Sequence, residues 1–186
     1  MRVFVGIKLD RDALDHIASV LKPFRKLANP VKWTKSENIH LTLKFIGDVE
    51  PEVAQDINRV LATDHYPVSS FPVRISGIGK FGRGQELNIL WAGIEPSSPL
   101  EALYREIEER LATIRIPKEN RPFKPHITLA RNKKNIDVKP YLRLIDQHRD
   151  TFISESTVTG FQIFKSDLSS VGPTYTILKE ISLEQS

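Results

Sequence analysis

The pattern His40-Leu41-Thr42-Leu43 returns as His126-Ile127-Thr128-Leu129, 86 residues later. Only about 0.03 copies of His-aliphatic-Thr-aliphatic are expected by chance in a chain of ordinary composition, so two copies require a cause. The flanks supply it. Phe4-Val5-Gly6-Ile7 aligns with Trp91-Ala92-Gly93-Ile94 at an offset of 87, and Ile75-Ser76-Gly77-Ile78 aligns with Val158-Thr159-Gly160-Phe161 at an offset of 83. The drift from 87 to 83 is that of one duplicated unit trimmed in its loops, with approximate repeats at 2–81 and 87–182. A duplicated chain can place two copies of each feature about a pseudo-two-fold axis.

Side chains on a strand alternate between faces. His and Thr of each motif therefore share one face, and the two aliphatic residues fill the other. Around the motifs, Leu14, Ile17, Leu21 and Phe24 form a helical stripe over 11–26. Val53, Ile57, Val60 and Leu61 form another behind Pro51, and Leu100, Leu103, Ile107 and Leu111 a third behind Ser98-Pro99-Leu100-Glu101, which reads as a capping box. Strands are expected at 2–8, 38–46, 71–79, 87–93, 123–131, 152–164 and 174–182, with a last helix at 138–149. The strand at 71–79 would complete the first lobe. Short helices among strands related by a two-fold axis imply an α+β fold: two largely antiparallel sheets flanked by helices, one bilobal domain over 1–186, with a cleft between the lobes.

Composition narrows the chemistry. With 186 residues, 40% hydrophobic and 27% charged, the chain is long enough for one large core. It has no cysteine, which excludes disulfides, thiolate nucleophiles and zinc-thiolate sites. No run approaches a membrane span, and residues 1–10 are too short an apolar stretch for a signal peptide, so a cytosolic protein is expected. The net charge of +4 permits an anionic partner. Lys22, Arg25, Lys26, Lys32 and Lys35 lie near the first motif, and Arg121, Lys124, Arg131, Lys133 and Lys134 flank the second.

Two imidazoles and two hydroxyls suit phosphodiester chemistry. One group must take a proton from the attacking oxygen while another, across phosphorus, gives one to the leaving oxygen, and His does both near neutral pH. Thr hydroxyls can donate to the non-bridging oxygens. A metal site would need a third ligand, which neither motif offers, so no metal or other cofactor is expected. No Gly-x-Ser-x-Gly elbow or P-loop spacing occurs. His16, His65 and His148 fall outside the repeat and read as surface or packing residues.

With these motifs and their flanks, from Arg2-Val3-Phe4-Val5-Gly6-Ile7 to Gly172-Pro173-Thr174-Tyr175, the chain resembles the two-histidine phosphoesterase superfamily. The resemblance is specifically to the RNA 2′,3′-cyclic phosphodiesterases, once described as 2′-5′ RNA ligases. It implies a metal-free enzyme that opens a terminal ribose 2′,3′-cyclic phosphate to a 2′-phosphate. The implied substrates are RNA ends, tRNA fragments or cyclic mononucleotides, and a monomer is expected. His40 would be the general acid and His126 the general base, with Thr42, Thr128 and Arg131 on the phosphate. Arg131 is out of phase with His126 and Thr128 on a regular strand, so it reaches the cleft only if the strand ends or bulges near Ala130. Phe45, its counterpart, reads as a packing residue. A ligase running the reverse reaction and a non-catalytic RNA-binding module are the other readings.

Overall fold

The computed structural model describes residues 1–28, 31–63, 65–132, 136–169 and 172–184. Lys133 and Lys134 lie outside these residues. The described chain runs β1 (Arg2–Lys8), α1 (Arg11–Val20), α2 (Lys22–Arg25), β2 (Lys32–Trp33), β3 (His40–Asp48), α3 (Pro51–Leu61), β4 (Phe71–Phe81), β5 (Ile89–Ile94), α4 (Ser98–Thr113), β6 (His126–Arg131), α5 (Lys139–Gln147), β7 (Phe152–Val158), β8 (Gly160–Leu168) and β9 (Pro173–Ser182).

All pairings among these strands are antiparallel, in the order β7-β4-β5-β6-β3-β1-β8-β9, with β2 paired to β6. The two sheets expected from the repeat are thus two halves of one sheet. Their joint is narrow: β3 and β6 share a single register pair, Leu41 with Ile127. The pseudo-two-fold axis falls at that pair, relating β3 to β6, β1 to β5, β8 to β4 and β9 to β7.

The halves exchange strands. β4 belongs to the first sequence repeat but pairs with β5 and β7, while β8 of the second repeat pairs with β1 and β9. The strand at 71–79 therefore completes the second half, not the first. Helices cross as well: α1 packs on β7 and α4 on β3. Each half is built from both repeats, so neither can bury its core alone.

Most elements follow the periodicity. Ile17, Leu21, Phe24, Ile57, Leu61, Leu100, Leu103, Ile107 and Leu111 are all buried. Three details differ. The helix expected over 11–26 is broken at Leu21, because Pro23 has no N–H to return to the Ser19 carbonyl. Ser98 lies inside α4, whose N-cap is Ser97 with no side-chain capping bond, so the capping box does not form. The single strand expected over 152–164 is β7 and β8, separated at Thr159, where the chain crosses between halves. Gly160 makes that crossing possible: a Cβ there would stand 2.3 Å from the Ile181 carbonyl oxygen.

Candidate active site

β3 and β6 each break register at the same motif position. Against β1, Thr42 pairs with Gly6 and Lys44 with Val5, leaving Leu43 unpaired. Against β5, Thr128 pairs with Trp91 and Ala130 with Leu90, leaving Leu129 unpaired. Each extra residue is a β-bulge that shifts the face alternation by one. Leu43 and Lys44 are accordingly both buried, as are Leu129 and Ala130, and the next residues, Phe45 and Arg131, return to the face of His and Thr. The phase objection to Arg131 is removed by the bulge beside Ala130. Phe45 does not pack inside; it is 53% exposed, with the Arg2 guanidinium 4.8 Å above its ring.

Carried one residue either way from the Leu41–Ile127 pair, the antiparallel register sets His40 opposite Thr128 and Thr42 opposite His126. The two histidines are then diagonal neighbours on one face, whose strand positions lie about 7–8 Å apart. All four motif side chains gather at the joint of the halves.

Both imidazoles are held in the same way. His40 Nδ1 lies 2.7 Å from the Asn38 carbonyl oxygen, and His126 Nδ1 lies 2.7 Å from the Lys124 carbonyl oxygen. A carbonyl only accepts, so each Nδ1 carries its hydrogen and each Nε2 is left for proton exchange. Thr42 Oγ1 stands 3.0 Å from His40 Nε2. The carbonyls come from residues two before each His, where the irregular entry to each motif strand turns the backbone back on the ring.

The surroundings of the two rings are unequal. Phe4 stacks on His40 at 4.8 Å, Tyr175 meets it edge-on at 5.3 Å, and Phe164 lies at 6.0 Å. His126 meets Phe81 edge-on at 4.8 Å, and its Nδ1 bond lies at the surface whereas that of His40 is partly buried. Gly6 makes room for this packing: a Cβ there would come within 2.9 Å of the Leu41 carbonyl oxygen and 3.2 Å of His40 Cδ2. Burial lowers the His40 pKa below 6.5. Its bond to Asn38 opposes the shift, and the charges of Arg131 and His126 add to it. Burial raises the Tyr175 phenol, and the positive charges of Arg131 and Arg2 pull it back.

Behind the site, Lys44 is a buried cation that motif reading missed. Its Nζ reaches Glu108 Oε1 at 2.8 Å and donates to the Pro117 carbonyl at 2.8 Å, while Glu119 N donates to Glu108 Oε2. The pair ties β3 and α4 to the segment that leads into β6. The other histidines sit apart: His16 contacts Ser154, His65 is exposed beside Glu184, and His148 bonds the Leu144 carbonyl. No group of three or more His, Cys, Asp or Glu side chains placed to hold a metal ion occurs among the described residues.

Paired His/Thr strands joined at a pseudo-two-fold axis define a two-histidine phosphoesterase. The chain belongs to the 2′-5′ RNA ligase superfamily, whose family model matches residues 10–169. It is 34% identical to the RNA 2′,3′-cyclic phosphodiesterase of Thermus thermophilus, over 98% of this chain and 90% of that protein. It is 30% identical to the enzyme of the same name from Thermotoga maritima, over 99% and 96%. Among solved structures, TT0787 of Thermus thermophilus superposes with a TM-score of 0.77 at 28% identity, covering 100% of this chain and 99% of that one. E. coli LigT in its apo form gives 0.75 at 25%, covering 99% and 98%.

Proposed function

We propose that the protein hydrolyses the terminal 2′,3′-cyclic phosphate of RNA to a 2′-phosphomonoester, by acid–base catalysis between His40 and His126 and without a metal ion. The observation that carries this reading is the duplicated imidazole geometry: two rings on one sheet face, each with Nδ1 tied to a carbonyl and Nε2 left to exchange a proton. The relatives' cyclic phosphodiesterase activity supports the substrate class.

In-line displacement sets water and the ribose 3′ oxygen on opposite sides of phosphorus. His126 Nε2 takes a proton from water as the new P–O bond forms, and His40 Nε2 gives one to the 3′ oxygen as the old P–O bond breaks. The more open His126 suits the side that water must reach, and the ring-walled His40 suits the side of the departing ribose. Thr42, Thr128 and Arg131 hold the phosphate oxygens, Arg131 through charge-assisted bonds that strengthen as negative charge grows. The motif side chains supply an acid, a base and anion donors from within the protein, which supports a metal-independent route.

The role assignment is tested with a substrate whose 3′ leaving group is far more acidic. Such a group needs little protonation, so it rescues His40→Ala much more than His126→Ala. Equal rescue of both variants, or rescue of His126→Ala alone, contradicts the assignment. The family's ligase description supports a second reading, since an RNA 5′-hydroxyl can replace water as the nucleophile, giving its proton to the same base while the same 3′ oxygen departs. Joining of a 5′-hydroxyl RNA to a cyclic-phosphate end, measured beside hydrolysis, separates the two.

A further inference from the structure

A cavity of about 440 Å³ opens beside His40. Its walls include Phe164 and Tyr175, the rings that also enclose His40, and Asn38, whose carbonyl orients the imidazole. Lys8 and Lys35 stand at its edge with Glu37. Lys8 is opposite His40 in the β1–β3 register, so it rises on the same face of the sheet. Lys35 is 3.9 Å from Glu37, a loose pairing between exposed groups, and Lys8 has no acidic partner among the described residues. Two lysines against one carboxylate leave the rim positive.

The volume is within the range of small-ligand pockets, and the lining joins aromatic walls to a cationic rim. In-line chemistry places the ribose on the side of the acid, which is the side of this cavity. We infer that the cavity receives the 3′-terminal nucleoside, and that Lys8 and Lys35 bind the phosphate on its 5′ oxygen, the first link of the upstream chain. The inference rests on the proposed function and adds to it a specificity: the site reads a polynucleotide end in preference to a free cyclic nucleoside phosphate. Its place beside His40 also sets the direction in which the RNA leaves the cleft.

The test compares two substrates that differ by one group, a nucleoside 2′,3′-cyclic phosphate with a free 5′-hydroxyl and the same molecule with a 5′-phosphate. At low salt kcat/KM is expected to favour the phosphorylated form by about tenfold, and the Lys8→Ala/Lys35→Ala double variant should bring the ratio close to one. Lys139→Ala, which removes a lysine charge on α5, should leave the ratio at its wild-type value. Equilibrium binding of nucleoside 2′-phosphate and 2′,5′-bisphosphate reads the same preference without turnover. Absence of any 5′-phosphate preference in the wild type, or a preference that survives in the double variant, overturns the inference. If neither cyclic phosphate is hydrolysed, the catalytic reading fails. A bisphosphate preference lost in the double variant would then still support the subsite.

Discussion

At the residue scale the two histidines have the same bond but different environments. Replacing either by Ala should lower kcat by at least about 10²-fold, the usual loss for a general acid or base, while His148→Ala should leave turnover near wild type. Thr42→Ala and Thr128→Ala should cost less, since the phosphate keeps other donors. The pH dependence has a definite sign. His40 must be protonated to act as the acid, and its pKa lies below 6.5 in the free protein. Followed by NMR in the free protein, the His40 imidazole should therefore lose its proton below pH 6.5, and a bound phosphate anion should move that titration upward, because it favours the imidazolium. Arg131→Ala removes a charge that depresses His40, so it should raise the titration in the free protein while weakening phosphate binding. A His40 titration above 7 in the free protein, with no response to Arg131→Ala, would contradict this account of the acid.

At the element scale the paired bulges do most to shape the site. They were only half legible in sequence. Leu129-Ala130 offers two successive small or apolar residues, a break in alternation that marks a bulge, but Leu43-Lys44 looks like normal alternation because Lys44 is charged. Its burial depends on Glu108, 64 residues away, a partner that periodicity cannot supply. Lys44→Ala would leave Glu108 buried and unpaired, so a loss of stability of about 3–5 kcal/mol is expected in denaturant unfolding. Lys44→Met with Glu108→Leu should recover much of it. Gly6→Ala should depress activity along with stability, because the added methyl meets both the Leu41 carbonyl and the His40 ring. The crossing at Thr159–Gly160 carries a single glycine and no proline, too weak a turn signal to divide the segment, and so one strand was expected where the structure has two.

For the whole molecule, the repeat made the duplication and the convergence of the motifs readable, because identical spacing survives divergence of the flanks. It did not reveal which strands pair. β4 and β8 are equivalent by sequence and lie in each other's halves, a choice made by pairing partners far along the chain. A chain cut at the turn near Gly82–Gly84 should accordingly give two fragments that are each unfolded by circular dichroism, and that form the sheet only when combined. The exchange also ties the cleft to global stability, since both walls need both repeats. The most direct measurement of the central claim is phosphorus NMR of an oligoribonucleotide ending in a 2′,3′-cyclic phosphate, incubated with the protein in excess chelator. Quantitative conversion to a 2′-phosphomonoester, slowed at least about 10²-fold by either histidine substitution, is the expected result. An unchanged cyclic phosphate, a 3′-phosphomonoester, or turnover that appears only after a divalent metal is restored would contradict it.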